Sequence, residues 1–369
     1  MRRREIEPDK VTYGTIINGL CKKGDTGAAV RWLRIMEEGS CKPDAVVYNT
    51  IIDGHCKNMK MDEAMHLLSE MNEKCIQPDV CTYTTLIHGL CHFGRWKEGT
   101  RVFGEMLGVG ISLEASVFNA LVDAFIKAGK VNEAEELVDA MVQAGVDPNV
   151  ITFNSLMNGY CLHGRMDKAM KVFNTMGDRA IQPNILSYNI LIKGYCRNMK
   201  IDEALHLFSE INEKHLQPDI ITYNTLIRGY CVQGQMDEAL HLFSEINEKH
   251  LQPDVITYTT LIHGSCHFGR WKEVTRLFRE MLGIGIPPDI QTYNVIINGL
   301  TEAGMLKEAE ELIESMIPKG LDPNVVTYTT LMKGYCSQGQ MDEAMRVLNT
   351  MVNRGIQPDV CSFNTLNRY

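Results

Sequence analysis

Within residues 220–254 (IITYNTLIRGYCVQGQMDEALHLFSEINEKHLQPD), Tyr223, Leu226, Ile227 and Tyr230 recur at the three-to-four-residue spacing of one helix face. After Gly234 a second stretch does the same with Met236, Ala239, Leu240, Leu242, Phe243 and Ile246. The pattern predicts two helices. The first starts near Thr222; the second opens on Asp237 and Glu238, which suit the positive end of a helix dipole. Pro253 cannot continue a helix. Asp254 can cap the next one.

The same plan recurs every 35 residues. Ten units tile the chain without insertion or deletion: 10–44, 45–79, 80–114, 115–149, 150–184, 185–219, 220–254, 255–289, 290–324 and 325–359. Residues 360–369 begin an eleventh and stop inside its first helix, and residues 1–9, ending in Pro8-Asp9, read as the remnant of a preceding unit. Fixed-period similarity of this kind predicts an all-α solenoid of stacked helix-turn-helix units, one extended domain without a central core. Position 10 of the units is Gly19, Gly54, Gly89, Ala124, Gly159, Gly194, Gly229, Gly264, Gly299 and Gly334. A glycine inside a helix costs about 1 kcal/mol against alanine, so close helix approach is expected there. Position 20 is usually alanine.

Composition is ordinary, 44% hydrophobic and 22% charged, with no apolar run of the length that spans a membrane. The net charge of −9 argues against a uniformly basic, sequence-blind nucleic-acid binder. Eight of twelve cysteines share position 12 (Cys21, Cys56, Cys91, Cys161, Cys196, Cys231, Cys266, Cys336), where Ile126 and Thr301 also occur. A site that takes Cys, Ile or Thr reads as a small packing site, and a reducing compartment follows. His88, Cys91 and His92, repeated as His263, Cys266 and His267, have a spacing that could place metal ligands on one face. They are copies of one ancestral unit, and no metal or cofactor is expected.

Two units depart from the pattern. The first has Gly14 at position 5, and the third ends Ser112-Leu113-Glu114 without the Pro-Asp or Pro-Asn of the others, so a degenerate junction is expected there.

The 35-residue period, the V-x-[ST]-[YF]-[NT]-x-L-I-x-G opening, the D-E-A of the second helix and the closing P-D resemble the pentatricopeptide repeat family. The tetratricopeptide rival has a 34-residue period and an early Trp, missing here. The undisturbed units resemble the family's pure class; stretches such as HFGRWKE (92–98) resemble its restorer-of-fertility-like branch. The resemblance implies a right-handed superhelix that binds single-stranded RNA, one base per repeat. It implies a plant mitochondrial setting, a plastid being second, although residues 1–9 are too short for a transit peptide.

By the same resemblance the base is read at positions 5 and 35. These hold Asn49 and Asp79, Thr84 and Glu114, Asn119 and Asn149, Asn154 and Asn184, Asn189 and Asp219, Asn224 and Asp254, Thr259 and Asp289, Asn294 and Asn324, and Thr329 and Asp359. Glu114 leaves the third unit uncoded, and Gly14 with Asp44 the first. The base-stacking residues at position 2 are Val11, Val46, Ile151, Leu186, Ile221, Ile256 and Val326; Ser116 and Gln291 depart from the aliphatic pattern. Lys22, Lys57, Lys127 and Arg197 at position 13 are the phosphate candidates.

The chemistry fits. A carboxylate only accepts hydrogen bonds, so Asp at position 35 suits the imino N–H of G or U, while the NH₂ of Asn suits A or C. Threonine is short and leaves room for a purine; asparagine reaches a pyrimidine. Units two to ten then read 5′-U-?-Y-Y-U-U-G-Y-G-3′. Asp or Asn after Pro is also what a helix cap looks like, but no fold rule asks for Asn or Thr at position 5. The expected action is occupancy of an organellar transcript by a monomer that bears on RNA processing, stability or translation. A scaffold for protein partners, or a decayed non-binding copy, is the alternative. No deaminase signature of H-x-E with P-C-x-x-C is present, and no enzyme is expected.

Overall fold

The computed structural model describes residues 8–367, and among these it contains twenty-one α-helices and no strand. Residues 1–7 of the expected remnant and the last two residues of the eleventh unit lie outside the described residues. The chain falls into two compact units, one ending at Ser187 and the other beginning at Tyr188. Within each unit the packing is between sequence neighbours, as stacked repeats require.

In the first unit the hairpins are α1 (Lys10–Lys22) with α2 (Thr26–Glu38), α3 (Ala45–Lys57) with α4 (Met61–Glu73), α5 (Val80–His92) with α6 (Trp96–Gly108), α7 (Ala115–Lys127) with α8 (Val131–Gln143), and α9 (Val150–Leu162) with α10 (Met166–Asp178). The division falls inside α11 (Ile185–Arg197), which pairs with α12 (Ile201–Glu213). The second unit continues with α13 (Ile220–Gln233) and α14 (Met236–Glu248), α15 (Val255–His267) and α16 (Trp271–Gly283), α17 (Ile290–Glu302) and α18 (Leu306–Met316), α19 (Val325–Ser337) and α20 (Met341–Asn353), and then α21 (Val360–Asn367).

The first helices start two residues earlier than the apolar pattern suggests. Asp219 is the N-cap of α13, so Ile220 rather than Thr222 opens the helix. Its carboxylate accepts the backbone N–H of Thr222, and the Thr222 hydroxyl accepts the N–H of Asp219 in return. That reciprocal box makes the β-branched positions 1 and 2 the first turn, whatever their own propensity. The second helices start one residue early as well, with Met236 ahead of the acidic pair. Tyr223, Leu226, Ile227, Tyr230, Met236, Ala239, Leu242, Phe243 and Ile246 are buried; Leu240 is only half-buried, a correction to the expected stripe. At Glu114 the cap is indeed lost: α7 has no side-chain cap bond.

Within each unit the first helices pack in a row, α1 on α3, α3 on α5, α5 on α7 and α7 on α9, and likewise α13 on α15, α15 on α17, α17 on α19 and α19 on α21. Position 10 is where they approach. A Cβ on Gly54 would stand 2.7 Å from Cys21 Sγ and 2.8 Å from Cys21 Cβ. On Gly264 it would stand 2.8 Å from Cys231 Sγ, and on Gly299 it would stand 2.7 Å from Cys266 Cβ. The position-12 side chain of one repeat therefore sits against the glycine of the next. The eight position-12 cysteines are buried, as are Ile126 and Thr301.

Candidate nucleic-acid interface

Because the first helices form the row, positions 2, 5 and 13 of successive repeats, with the caps at position 35, lie along one face of each unit. In the first unit, Asp79 caps α5, and its Oδ1 accepts the backbone N–H of Thr82 (2.9 Å) and the Asn49 amide (3.0 Å), with the Thr82 hydroxyl also 3.0 Å away. The hydroxyl has one proton, and its shorter bond is to Asn49 Oδ1 at 2.6 Å. Burial pushes the Asp79 carboxyl up, but the Thr82 N–H and hydroxyl and the Asn49 amide more than offset it and hold it below the ordinary carboxylate value. It is therefore ionised at neutral pH, and Oδ2 is the atom left facing outward.

Asparagine at position 35 caps in the same way with a different outcome. Asn149 Oδ1 accepts the N–H groups of Ile151 (3.0 Å) and Thr152 (3.2 Å); Asn184 Oδ1 accepts that of Ser187 (3.1 Å). A backbone N–H can only be met by oxygen, so capping settles the amide orientation and turns NH₂ outward. Thus the same local rule shows an acceptor where the cap is Asp and a donor where it is Asn. Asn119 and Asn154 are buried, and each Oδ1 accepts a hydroxyl from the following repeat, Thr152 at 2.6 Å and Ser187 at 2.8 Å.

The second unit repeats this. Asn189 donates to Asp219 and Asn224 to Asp254, both at 3.1 Å. Asn294 Oδ1 accepts the Thr327 hydroxyl at 2.7 Å while Asn324 caps α19. At the threonine repeats, Thr259 pairs with Thr292 and Thr329 with Ser362, each at 2.8 Å. Asp289 and Asp359 cap α17 and α21. Position 5 consequently has a structural role that the sequence did not suggest: it ties each first helix to the next.

The stacking candidates are aliphatic yet exposed. Val11, Val46, Ile151, Leu186, Ile221, Ile256 and Val326 are between 54% and 73% accessible. Ser116 and Gln291 are exposed in the same row. Two recesses lie beside threonines at position 5. One of 970 Å³ is lined by Thr84, His88, Ser116, Asn119 and Lys127; one of 590 Å³ is lined by Thr259, His263 and Gln291. Both are where a short side chain leaves space.

Of the phosphate candidates, Lys57 and Lys127 each form an ion pair one helical turn back, with Asp53 at 2.6 Å and Asp123 at 2.7 Å. Lys22 and Arg197 are exposed. Asp44 offers little to a base. Its Oδ1 caps α3, its Oδ2 pairs with Lys10 at 3.0 Å, and Gly14 has no side chain. The His88–Cys91–His92 set does not converge, since Cys91 is buried while both histidines are exposed. Among the described residues no group of three or more His, Cys, Asp or Glu could hold a metal ion, and no helix is long and apolar enough to cross a membrane.

What the sequence missed is the hydroxyl at position 3. Thr82, Thr152, Ser187, Thr222, Thr257 and Thr327 each bond the position-5 asparagine of the preceding repeat. The signal was visible as a Ser or Thr recurring with the period, but it reads as capping alone until neighbouring repeats are stacked.

A crystal structure of PPR10 from maize aligns with TM-score 0.61 at 23% identity, over 99% of this chain and 62% of that one. PPR10 in complex with an 18-nt psaJ RNA element aligns at 0.60 and 24% identity, over 96% and 57%. The chain thus spans under two thirds of PPR10, and the likeness shows the shared fold. No curated protein matches the chain. Residues 43–92, 113–162, 148–197, 183–232, 218–267, 253–302, 288–337 and 323–368 match the PPR repeat family, and residues 4–37 and 81–111 match the PPR repeat. The chain belongs to the PPR repeat family.

Proposed function

We propose that the protein binds single-stranded RNA in a sequence-specific way, one base per repeat, and acts without catalysis by occupying an organellar transcript. The observation that carries this is the outward polar atom at position 35. Helix capping fixes it as an acceptor at Asp79, Asp219, Asp254, Asp289 and Asp359 and as a donor at Asn149, Asn184 and Asn324. Beside each pair stands an exposed side chain at position 2, aliphatic in most repeats, with a flat base as its natural partner. The fold shared with PPR10, solved with an RNA element, supports the same ligand class. Membership of the pure class and the restorer-of-fertility-like branch, a mitochondrial setting, action on RNA processing, stability or translation, and a monomeric state belong to this proposal.

The test is a polarisation titration with an RNA carrying UGCCUUGCG, with its complement, and with the same RNA in which the central UUG is changed to AAC. The proposal expects at least about a tenfold preference for the first, equivalent to about 1.4 kcal/mol. Equal binding to all three would discard it in favour of a protein-binding scaffold or a decayed array.

A further inference from the structure

Eight described first helices after α1 carry Ser or Thr at position 3, and two do not: Val47 in α3 and Val117 in α7. The two exceptions are informative. Val47 follows the repeat whose position 5 is Gly14, which has nothing to orient. Val117 follows Thr84, and Thr84 Oγ1 is buried without a hydrogen-bond partner. The other two threonine readers have one, Thr292 for Thr259 and Ser362 for Thr329. Where the hydroxyl of the following repeat is missing, the reader is left unheld.

The effect on asparagine is more specific. A hydroxyl that already accepts the cap residue's N–H has its proton free to donate, and it donates to Asn Oδ1. The oxygen is then turned in and the NH₂ turned out. At Asn49, Asn189 and Asn224 the adjacent aspartate holds the NH₂ as well. At Asn294 the neighbour at position 35 is Asn324, and among the described residues the only side-chain partner of Asn294 is the Thr327 hydroxyl. The orientation of that amide depends on a residue 33 positions further on, in the next repeat.

We infer that position 3 of each repeat is a positioning residue for the base read by the repeat before it, so that a base is specified by three side chains and not two. This rests on the base-reading proposal above. Removing the hydroxyl lets the amide present oxygen or nitrogen outward, and a donor that can become an acceptor discriminates poorly.

The experiment uses the full chain and RNAs that differ only at the nucleotide facing the ninth repeat or only at that facing the seventh. The unmodified protein should prefer a pyrimidine at the ninth-repeat nucleotide by about tenfold, and Thr327→Val should reduce this to about threefold or less with the seventh-repeat preference intact. Thr327→Ser should restore it. A lost cap alone would weaken binding at all sequences alike, so an equal loss of preference at both nucleotides overturns the inference. So does full retention in Thr327→Val while the unmodified protein discriminates; the base-reading proposal then stands. An unmodified protein that discriminates at neither nucleotide overturns both.

Discussion

Gly54→Ala and Gly19→Ala are the same substitution at the same repeat position, and the structure predicts opposite signs. Alanine inside a helix is favoured over glycine by about 1 kcal/mol, and both variants gain that. At Gly19 a Cβ meets nothing within 4 Å, so the gain stands alone. At Gly54 it would lie 2.8 Å from Cys21 Cβ, where carbon atoms normally rest about 3.5–4.0 Å apart. A Cβ is fixed to its helix, so α1 and α3 must separate by most of an ångström. Overpacking of this kind costs about 1–3 kcal/mol. Gly54→Ala should therefore be net destabilising by about 1 kcal/mol, and the difference between the two variants isolates the approach term, about 1–3 kcal/mol. Urea unfolding followed by helical circular dichroism reads both. Cys21→Ala should rescue Gly54→Ala only in part, because it removes the sulfur and leaves the Cβ. Two variants that shift the midpoint by the same amount in the same direction would refute the packing account of position 10.

Other consequences are as direct. Glu70 is buried and hydrogen-bonded to Arg34, and also to Lys74 and Tyr48, which holds its carboxyl down to about 2 against the opposing effect of burial. A depressed carboxylate stabilises above its unfolded value and loses this as pH falls. The difference in stability between the unmodified protein and Glu70→Gln, about 3 kcal/mol at neutral pH, should shrink between pH of about 4.5 and 2; a difference independent of pH would contradict this. Met59 and Met199 have φ of 61° and 59° at the place where other repeats have glycine, such as Gly24 and Gly94. Both side chains are mostly exposed. Met59→Gly should thus stabilise by about 1 kcal/mol in a thermal melt, and a lower melting point would refute the strain. Burial pushes the thiols of Cys56, Cys91, Cys196, Cys231 and Cys266 up to about 12, whereas Cys75, Cys81 and Cys361 are exposed. Only the exposed three, and more slowly the half-buried Cys41, should react with a thiol reagent in the native protein; rapid labelling of the position-12 cysteines would show that the hairpins open.

Much of the fold is legible because one local pattern is written ten times. The apolar spacing of Tyr223, Leu226, Ile227 and Tyr230 gives a helix and its inward face, and Gly234 its end. Helix starts were misplaced because Ile220 and Ile221 look like poor openers; the cap at Asp219 decides instead. The groups at positions 5 and 35 are visible in sequence. Which atom each turns outward is not, because that depends on a backbone N–H in the same turn and on a hydroxyl 33 residues away. The gap at Thr84 is hidden for the same reason: Val117 looks like an ordinary core residue until it is found standing where other repeats place a hydroxyl.

The central claim, one base per repeat read by positions 5 and 35, is tested most directly by re-coding a single repeat. Asn224→Thr turns the seventh repeat from Asn with Asp254 into the Thr–Asp pair of the eighth, where Thr259 hydrogen-bonds Thr292 beside Asp289. Thr257 is already in place to hold the new hydroxyl. Binding would be measured to four RNAs that differ only at the nucleotide facing that repeat. The account predicts that the preferred base changes from U to G by about tenfold, with preferences at neighbouring nucleotides unchanged. An unchanged preference for U, or a uniform loss of affinity for all four RNAs, would contradict it.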